Sequence, residues 1–295
     1  MLAFPLLRRL LRVPDCYSIR IQPVYRAICK EIRSMEKIQQ ALERAKQQRQ
    51  SGSKNISDRH AHAEDVQSIK YTKTRSIDGC VDLQRENRLL SAMEHNVYAD
   101  AFKILSTQVI QRMEEHQWTS IAVTSTAEDE GKTTTAINLG LSIAREVEYT
   151  VLLVDANLRK PELHTYFGID PEMGLTDYLT DDVDLADLLV RPNDIDHFVI
   201  LPGGKPVMNS TELLGSPKMC TLVEELKTRY PKRIVIFDLP PVLKTADALT
   251  FAPCVDCALI VIEDDATRES DLKQTIDLLS VTNIIGTVLN KEKYL

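Results

Sequence analysis

The chain has 295 residues, 43% of them apolar and 27% charged, with a formal net charge of −7. That length and composition suit one large globular domain or a domain plus an extension, and they exclude a wholly disordered or fibrous chain. No apolar run approaches the roughly 18 residues of a membrane span, and beyond residue 34 the 41 Asp/Glu against 29 Lys/Arg argue against a general nucleic-acid binder.

Residues 1–34 carry seven Lys/Arg and two Asp/Glu. The arginines follow the apolar stretch and no long apolar core comes after them, so the segment is not a secretory signal. It reads as an organellar transit peptide, a membrane-surface segment, or translated upstream sequence. The last reading is favoured, because Met35 is a natural start. Over 35–50 the spacing predicts a short amphipathic helix, with Met35, Ile38, Leu42 and Ala45 on one face.

Residues 51–96 are polar and without period, and they are expected to form a flexible linker. His60 and His62 fall here and read as solvated. The six cysteines, at 16, 29, 80, 220, 254 and 257, are scattered. Only Cys254 and Cys257 form a C-x-x-C, with no second pair to complete a zinc site. They read as two small residues where a strand begins, and the usage fits a reducing cytoplasm.

From residue 97 to 295 apolar runs alternate with amphipathic segments. The runs are Ser120–Thr124, Thr150–Asp155, Phe198–Leu201, Arg233–Asp238, Cys257–Ile262 and Ile285–Asn290. Most are continuously apolar, as in parallel strands buried on both faces. Helices are expected over roughly 132–147, 217–229 and 268–280. The pattern predicts an α/β fold: an open, mainly parallel sheet flanked by helices, after a helical or disordered N-terminal extension. Ligands of such sheets bind at the carboxyl ends of the strands.

The first run leads through Ser125-Thr-Ala-Glu-Asp-Glu-Gly-Lys-Thr-Thr134 into a helix. Gly131-Lys132-Thr133 between a strand and a helix is the core of a phosphate-binding loop. Backbone N–H groups and the helix dipole cradle phosphates, Lys132 reaches the β/γ-phosphates, and the Thr133 hydroxyl binds Mg²⁺. The first glycine of the usual pattern is replaced by Thr126. Glu128, Asp129 and Glu130 bring three carboxylates to an anion site, where each costs ~1 kcal/mol or more if it faces the phosphates. Asp129 tolerates a left-handed backbone better than most residues.

Asp155 ends the second run and Asp238 the fourth, where an aspartate can hold Mg²⁺ directly or through water. Asn290 ends the last run, with the donors and acceptor to read a purine edge.

The order G-K-T-T, V-D-x-[DN]-x-R-x-P, I-x-x-D-x-P-P and V-L-N resembles the bacterial tyrosine kinases of capsule and exopolysaccharide loci, over about residues 97–292. These are deviant-Walker P-loop NTPases, a class shared with MinD and ParA. The helix at Met35 also resembles the start of cytoplasmic members of that group.

The resemblance implies ATP and Mg²⁺ as cofactors. It implies catalytic roles for Lys132, Asp155, Arg159 and Asp238, nucleotide contacts from Glu130, Gly131, Lys132, Thr133, Thr134 and Asn290, and metal contacts from Thr133, Asp155 and Asp238. Arg159 would lie near the phosphates, and the phosphate acceptor would be Tyr294. The implied partner is a membrane-embedded polysaccharide chain-length or co-polymerase protein, reached from the cytoplasmic face of the bacterial membrane. Homo-oligomers are also implied, and no nucleic acid.

Three departures from the family stand out. Asn157 replaces the second aspartate of its motif. The ring-forming E-x-x-R-x-x-R falls on Asp100, Lys103 and Ser106. Tyr294 stands alone where a tyrosine cluster is usual. A MinD/ParA-like ATPase switch and a degenerate nucleotide-binding scaffold are the alternatives.

Overall fold

A computed structural model describes residues 17–20, 74–78, 81–90, 97–181, 183–192, 195–230 and 232–292. The helix expected over 35–50 and the acceptor candidate Tyr294 lie outside the described residues.

Nine strands form one sheet: β1 (Tyr17–Arg20), β2 (Arg75–Ile77), β3 (Ser120–Ser125), β4 (Thr150–Asp155), β5 (Val190–Pro192), β6 (Phe198–Leu201), β7 (Arg233–Asp238), β8 (Cys257–Glu263) and β9 (Asn283–Asn290). Their order is β1-β9-β8-β3-β7-β4-β6-β5-β2. The six strands from β9 to β6 are parallel and correspond to the six apolar runs. Every residue of β3, β4, β6 and β7 is buried, because helices cover both faces of the sheet.

The margins differ from the centre. β5 runs antiparallel to β6, and β1 runs antiparallel to β9. Neither was legible in the sequence, since an edge strand of three or four residues need not carry a continuous apolar run.

One face of the sheet is packed by α2 (Val97–His116) and α3 (Lys132–Ala144). Phe102, Leu105 and Val109 of α2 meet Ile137 and Leu141 of α3 in its core. The other face holds α5 (Leu175–Thr180), α8 (Pro217–Thr228) and α9 (Asp247–Phe251), through Leu175, Leu222 and Phe251. The shorter helices α4 (Leu163–Phe167), α6 (Leu185–Leu188) and α7 (Ser210–Leu214) follow strands or loops, and α10 (Glu269–Leu278) joins β8 to β9.

Part of the expected linker is built into the domain. Residues Val81–Glu86 form helix α1. Leu89 and Leu90 are buried in the α2–α3 core. Asn138 of α3 accepts from Leu90 N at 3.0 Å and donates to Arg88 O at 3.1 Å. Polar residues surround these two leucines in sequence, so a periodicity reading passes over them.

The cysteines also differ from expectation. Cys254 is bonded to Cys220, not held near Cys257 as a mere C-x-x-C, and the disulfide ties α8 to the turn after α9. A separation of 34 positions hides the pairing in sequence. Cys257 is a free, buried thiol whose pKa burial pushes well up.

Candidate functional site

β3 ends in the centre of the sheet, between β8 and β7. The chain leaves it, turns through residues 126–131 and enters α3 at Lys132. Gly131 caps α3 with φ of 88°, a left-handed conformation that glycine adopts without penalty. A Cβ at this position would lie 2.0 Å from Asn290 Nδ2. Glycine is therefore required here both by conformation and by space.

The three loop carboxylates separate. Glu128 and Asp129 are exposed, and Asp129 takes the left-handed backbone with φ of 60°. Glu130 turns inward, with only 3% of the residue exposed. Its carboxylate accepts from Thr126 N at 2.7 Å, Ala127 N at 2.9 Å and Thr126 Oγ1 at 2.6 Å, and also from Thr267 Oγ1. It closes the loop on itself and joins it to the β8–α10 connection. The missing first glycine is thus offset by an internal anion that satisfies two backbone donors.

Asn290 ties β9 to the same loop. Its amide donates to Glu130 O at 2.8 Å and its carbonyl accepts from Lys291 N at 2.8 Å. One N–H and one lone pair are engaged in holding backbone, a use that the purine-edge expectation did not include.

Lys132, Thr133 and Asp238 converge. Lys132 Nζ donates to Thr133 Oγ1 at 3.0 Å, and Thr133 Oγ1 donates to Asp238 Oδ2 at 2.7 Å. Lys132 Nζ also lies 3.6 Å from Asp238 Oδ1. Asp155 stands beside this group because β4 and β7 pair in register, Asp155 opposite Asp238. Its carboxylate accepts from Asn157 N at 3.2 Å and Leu163 N at 3.0 Å. Asn157 therefore serves here through its backbone.

Both aspartates are almost wholly buried. Burial, and then the nearby Asp238 charge, pushes the Asp155 carboxyl up to about 7. Burial also raises Asp238, with Lys132 and the Thr133 hydroxyl pulling it back.

These residues fit a magnesium ion held together with phosphates. Asp238 Oδ1 is buried with no hydrogen-bond partner, held only by the Lys132 ion pair at 3.6 Å, so it offers a hard oxygen to a cation. Thr133 Oγ1 gives its proton to Asp238 and accepts from Lys132 Nζ, a lysine that bound phosphates would draw away. Among the described residues no cluster of three His, Cys, Asp or Glu gathers.

Arg159 is engaged elsewhere. Its Nε meets Asp247 Oδ2 at 3.1 Å and its Nη2 meets Thr211 Oγ1 at 3.3 Å. Asp247, fully buried, also accepts from Ser210 Oγ at 2.7 Å and from Thr211 Oγ1. Arg159 is thus held by a carboxylate at the start of α9. Sequence reasoning missed Asp247, because nothing local marks an aspartate 88 residues away as its partner. Thr134, next on α3, hydrogen-bonds the Tyr166 hydroxyl, and burial raises the Tyr166 pKa.

Of the family's ring motif, Asp100 and Lys103 are exposed on α2 while Ser106 is buried, its Oγ 2.9 Å from Ser142 Oγ. Among the described residues no helix is long and apolar enough to cross a membrane.

A phosphate loop on a parallel sheet, with two strand-end aspartates behind its lysine, defines a P-loop nucleotide-binding protein. The chain belongs to the family of the CobQ/CobB/MinD/ParA nucleotide binding domain, which it matches over residues 121–294. It is 31% identical over 220 residues to the tyrosine-protein kinase YwqD of Bacillus subtilis, covering 71% of this chain and 91% of that protein. It is 29% identical over 238 residues to the succinoglycan biosynthesis transport protein ExoP of Rhizobium meliloti, covering 79% of this chain and 29% of that one. Among solved structures it is similar to the kinase domain of the Escherichia coli tyrosine kinase ETK. That likeness has a TM-score of 0.63 and 27% identity, over 67% of this chain and 76% of the other.

Proposed function

We propose that this chain is an ATP-dependent tyrosine autokinase that regulates the synthesis and export of an exopolysaccharide or capsule. The observation that carries the reading is the convergence of Lys132 and Thr133 on Asp238, with Asp155 registered beside it. The likeness to YwqD and ETK supports tyrosine as the acceptor, and the likeness to ExoP supports a polysaccharide export system.

Phosphoryl transfer asks little covalent chemistry of a protein and much positioning and charge. On this reading, Lys132 exchanges its ion pair with Asp238 for the β- and γ-phosphate oxygens. The backbone N–H groups at the start of α3 hold the phosphates in line. Thr133, Asp155 and Asp238 would hold Mg²⁺, which would supply positive charge against the charge that develops in the transfer. Glu130 keeps the loop closed, and Asp247 keeps Arg159 oriented at the edge of the site. Tyr294 is the acceptor. The partner is a membrane-embedded chain-length protein that brings the chain to the inner face of the membrane, and Asp100 and Lys103 offer charges for self-assembly.

The test follows γ-labelled phosphate from Mg-ATP with the full chain and with Lys132→Ala, each with and without membranes carrying the co-polymerase. Label on wild-type tyrosine alone supports the autokinase. Release as free phosphate supports instead a MinD/ParA-like switch, which the family domain favours. No lysine-dependent transfer or release under any condition leaves a nucleotide-binding scaffold.

A further inference from the structure

The Cys220–Cys254 disulfide stands behind the Arg159 cluster, where two arms of the chain meet. The first arm is α7 and α8, joined by Gly215 and Ser216. Its α7 supplies the Ser210 and Thr211 hydroxyls that donate to Asp247, and its α8 carries Cys220. The second arm is α9, which starts at Asp247 and runs on into the 3₁₀ turn Ala252–Cys254. The arms pack closely, since a Cβ on Gly215 would lie 2.3 Å from Thr250 Cγ2 of α9. The disulfide therefore staples the arm that donates to Asp247 onto the arm that carries it.

Arg159 is the loosest member of the cluster. Its side chain is 37% exposed, whereas Asp247 is wholly buried and keeps two hydroxyl donors without it. An ion pair open to water on one side is worth little by itself, so its occupancy follows how firmly α9 is held against α7. A guanidinium let go by Asp247 is free to pair with phosphate oxygens.

Cys220 and Cys254 are both half-buried, open to a small thiol. Cys257, three residues on, is buried with its thiol on Ser120 O at 3.6 Å, and it takes no part in the exchange. Disulfides that face a cytosolic thiol pool are characteristically reversible ones. Resting on the reading of the chain as an ATP-dependent protein at the inner face of the membrane, we propose that Cys220 and Cys254 form a thiol–disulfide switch. It sets whether Arg159 is held by Asp247 or released to the nucleotide phosphates.

The co-reactant is a low-molecular-weight thiol of the glutathione class. Its thiolate attacks one sulfur of the pair and forms a mixed disulfide, and the other cysteine leaves as a thiolate and takes up a proton. A second glutathione thiolate then attacks the glutathione sulfur and releases the remaining cysteine. The protein disulfide gains two electrons and two protons, and one glutathione disulfide is formed. The oxidised chain holds α9 on α7 and α8 and keeps Arg159 on Asp247. The reduced chain loosens α9 and frees Arg159.

The experiment equilibrates the full chain with glutathione disulfide or with glutathione, counts thiols by alkylation and peptide mass, and titrates each form with Mg-ATP. Cys220→Ser, Cys254→Ser and Arg159→Ala are treated alike. We expect thiols at Cys220 and Cys254 in the reduced wild type only. Reduced wild type should bind Mg-ATP about tenfold tighter than oxidised, the equivalent of one contact of ~1.4 kcal/mol. Either serine variant should bind as the reduced wild type does in both buffers, and Arg159→Ala should show no redox difference.

The same thiol count at Cys220 and Cys254 in both buffers overturns the proposal. So does equal Mg-ATP affinity of the two wild-type forms, which leaves the ATP reading intact. A redox difference that survives in the serine variants or in Arg159→Ala also overturns it. Mg-ATP bound by neither wild-type form overturns the ATP reading itself, and this inference with it.

Discussion

Asp155 and Asp238 occupy opposite positions in the register of two adjacent parallel strands, so both carboxylates end at the same level of the sheet beside one lysine. Two buried carboxylates share one half-buried lysine, and a divalent cation would meet both carboxylates while the lysine turns to the phosphates. Mg-ADP at 100 times its Kd should therefore raise stability by about 2.7 kcal/mol. Asp238→Asn should abolish the magnesium dependence of that gain. Thermal melts with ADP, with and without Mg²⁺, decide it, and a magnesium-dependent gain that survives in the variant would remove Asp238 from the metal set.

Gly131→Ala should eliminate nucleotide binding, because the new Cβ meets Asn290 Nδ2 at 2.0 Å and the left-handed backbone adds roughly 1–2 kcal/mol of strain. Pairing it with Asn290→Ala removes the clash but not the strain. Partial recovery in a fluorescent-nucleotide titration is expected. No recovery at all would assign the whole effect to backbone conformation.

Asp247→Ala should destabilise the domain by about 2–3 kcal/mol, since it strips Arg159, Ser210 and Thr211 of a shared buried acceptor. Urea midpoints measure the loss. Arg159→Ala, which leaves Asp247 its two hydroxyl donors, should cost less, and the opposite ranking would contradict this account of the cluster.

Leu89→Ala or Leu90→Ala should cost about 2–5 kcal/mol, the range for truncating a buried leucine. Both side chains sit in the α2–α3 core. A linker residue would show no change, so the same denaturant series tests whether residues 81–90 are part of the folded unit.

Asp256 gives a pH dependence away from the site. Burial raises its carboxyl, but Lys227, the N–H groups of Thr119 and Ser120, and the Ser120 hydroxyl outweigh that and hold it below its ordinary 3.8. A carboxyl depressed in the folded state adds stability that is present above its unfolded pKa and lost as pH falls through the folded one. Asp256→Asn should lower stability by about 1–2 kcal/mol at pH 7 and flatten the fall in stability below about pH 4. Denaturant midpoints between pH 3 and 7 provide the check.

The sequence by itself determined the six parallel strands, the phosphate loop and the two strand-end aspartates. Continuous apolar runs such as Val151–Val154 have only one use, burial on both faces. Gly131-Lys132-Thr133 has chemistry only between a strand and a helix. These signals are local, so a single chain displays them.

Tertiary structure decided the rest, because the remaining partners are far apart in sequence. The inward turn of Glu130 depends on Thr267, the placement of Arg159 on Asp247, and the use of Asn290 on the loop it closes. The burial of Leu89 depends on α3, and the bond of Cys254 on Cys220. A carboxylate or a cysteine carries no local mark of its distant partner. Only the fold, by bringing sheet, loop and helix ends together, fixes which of them meet.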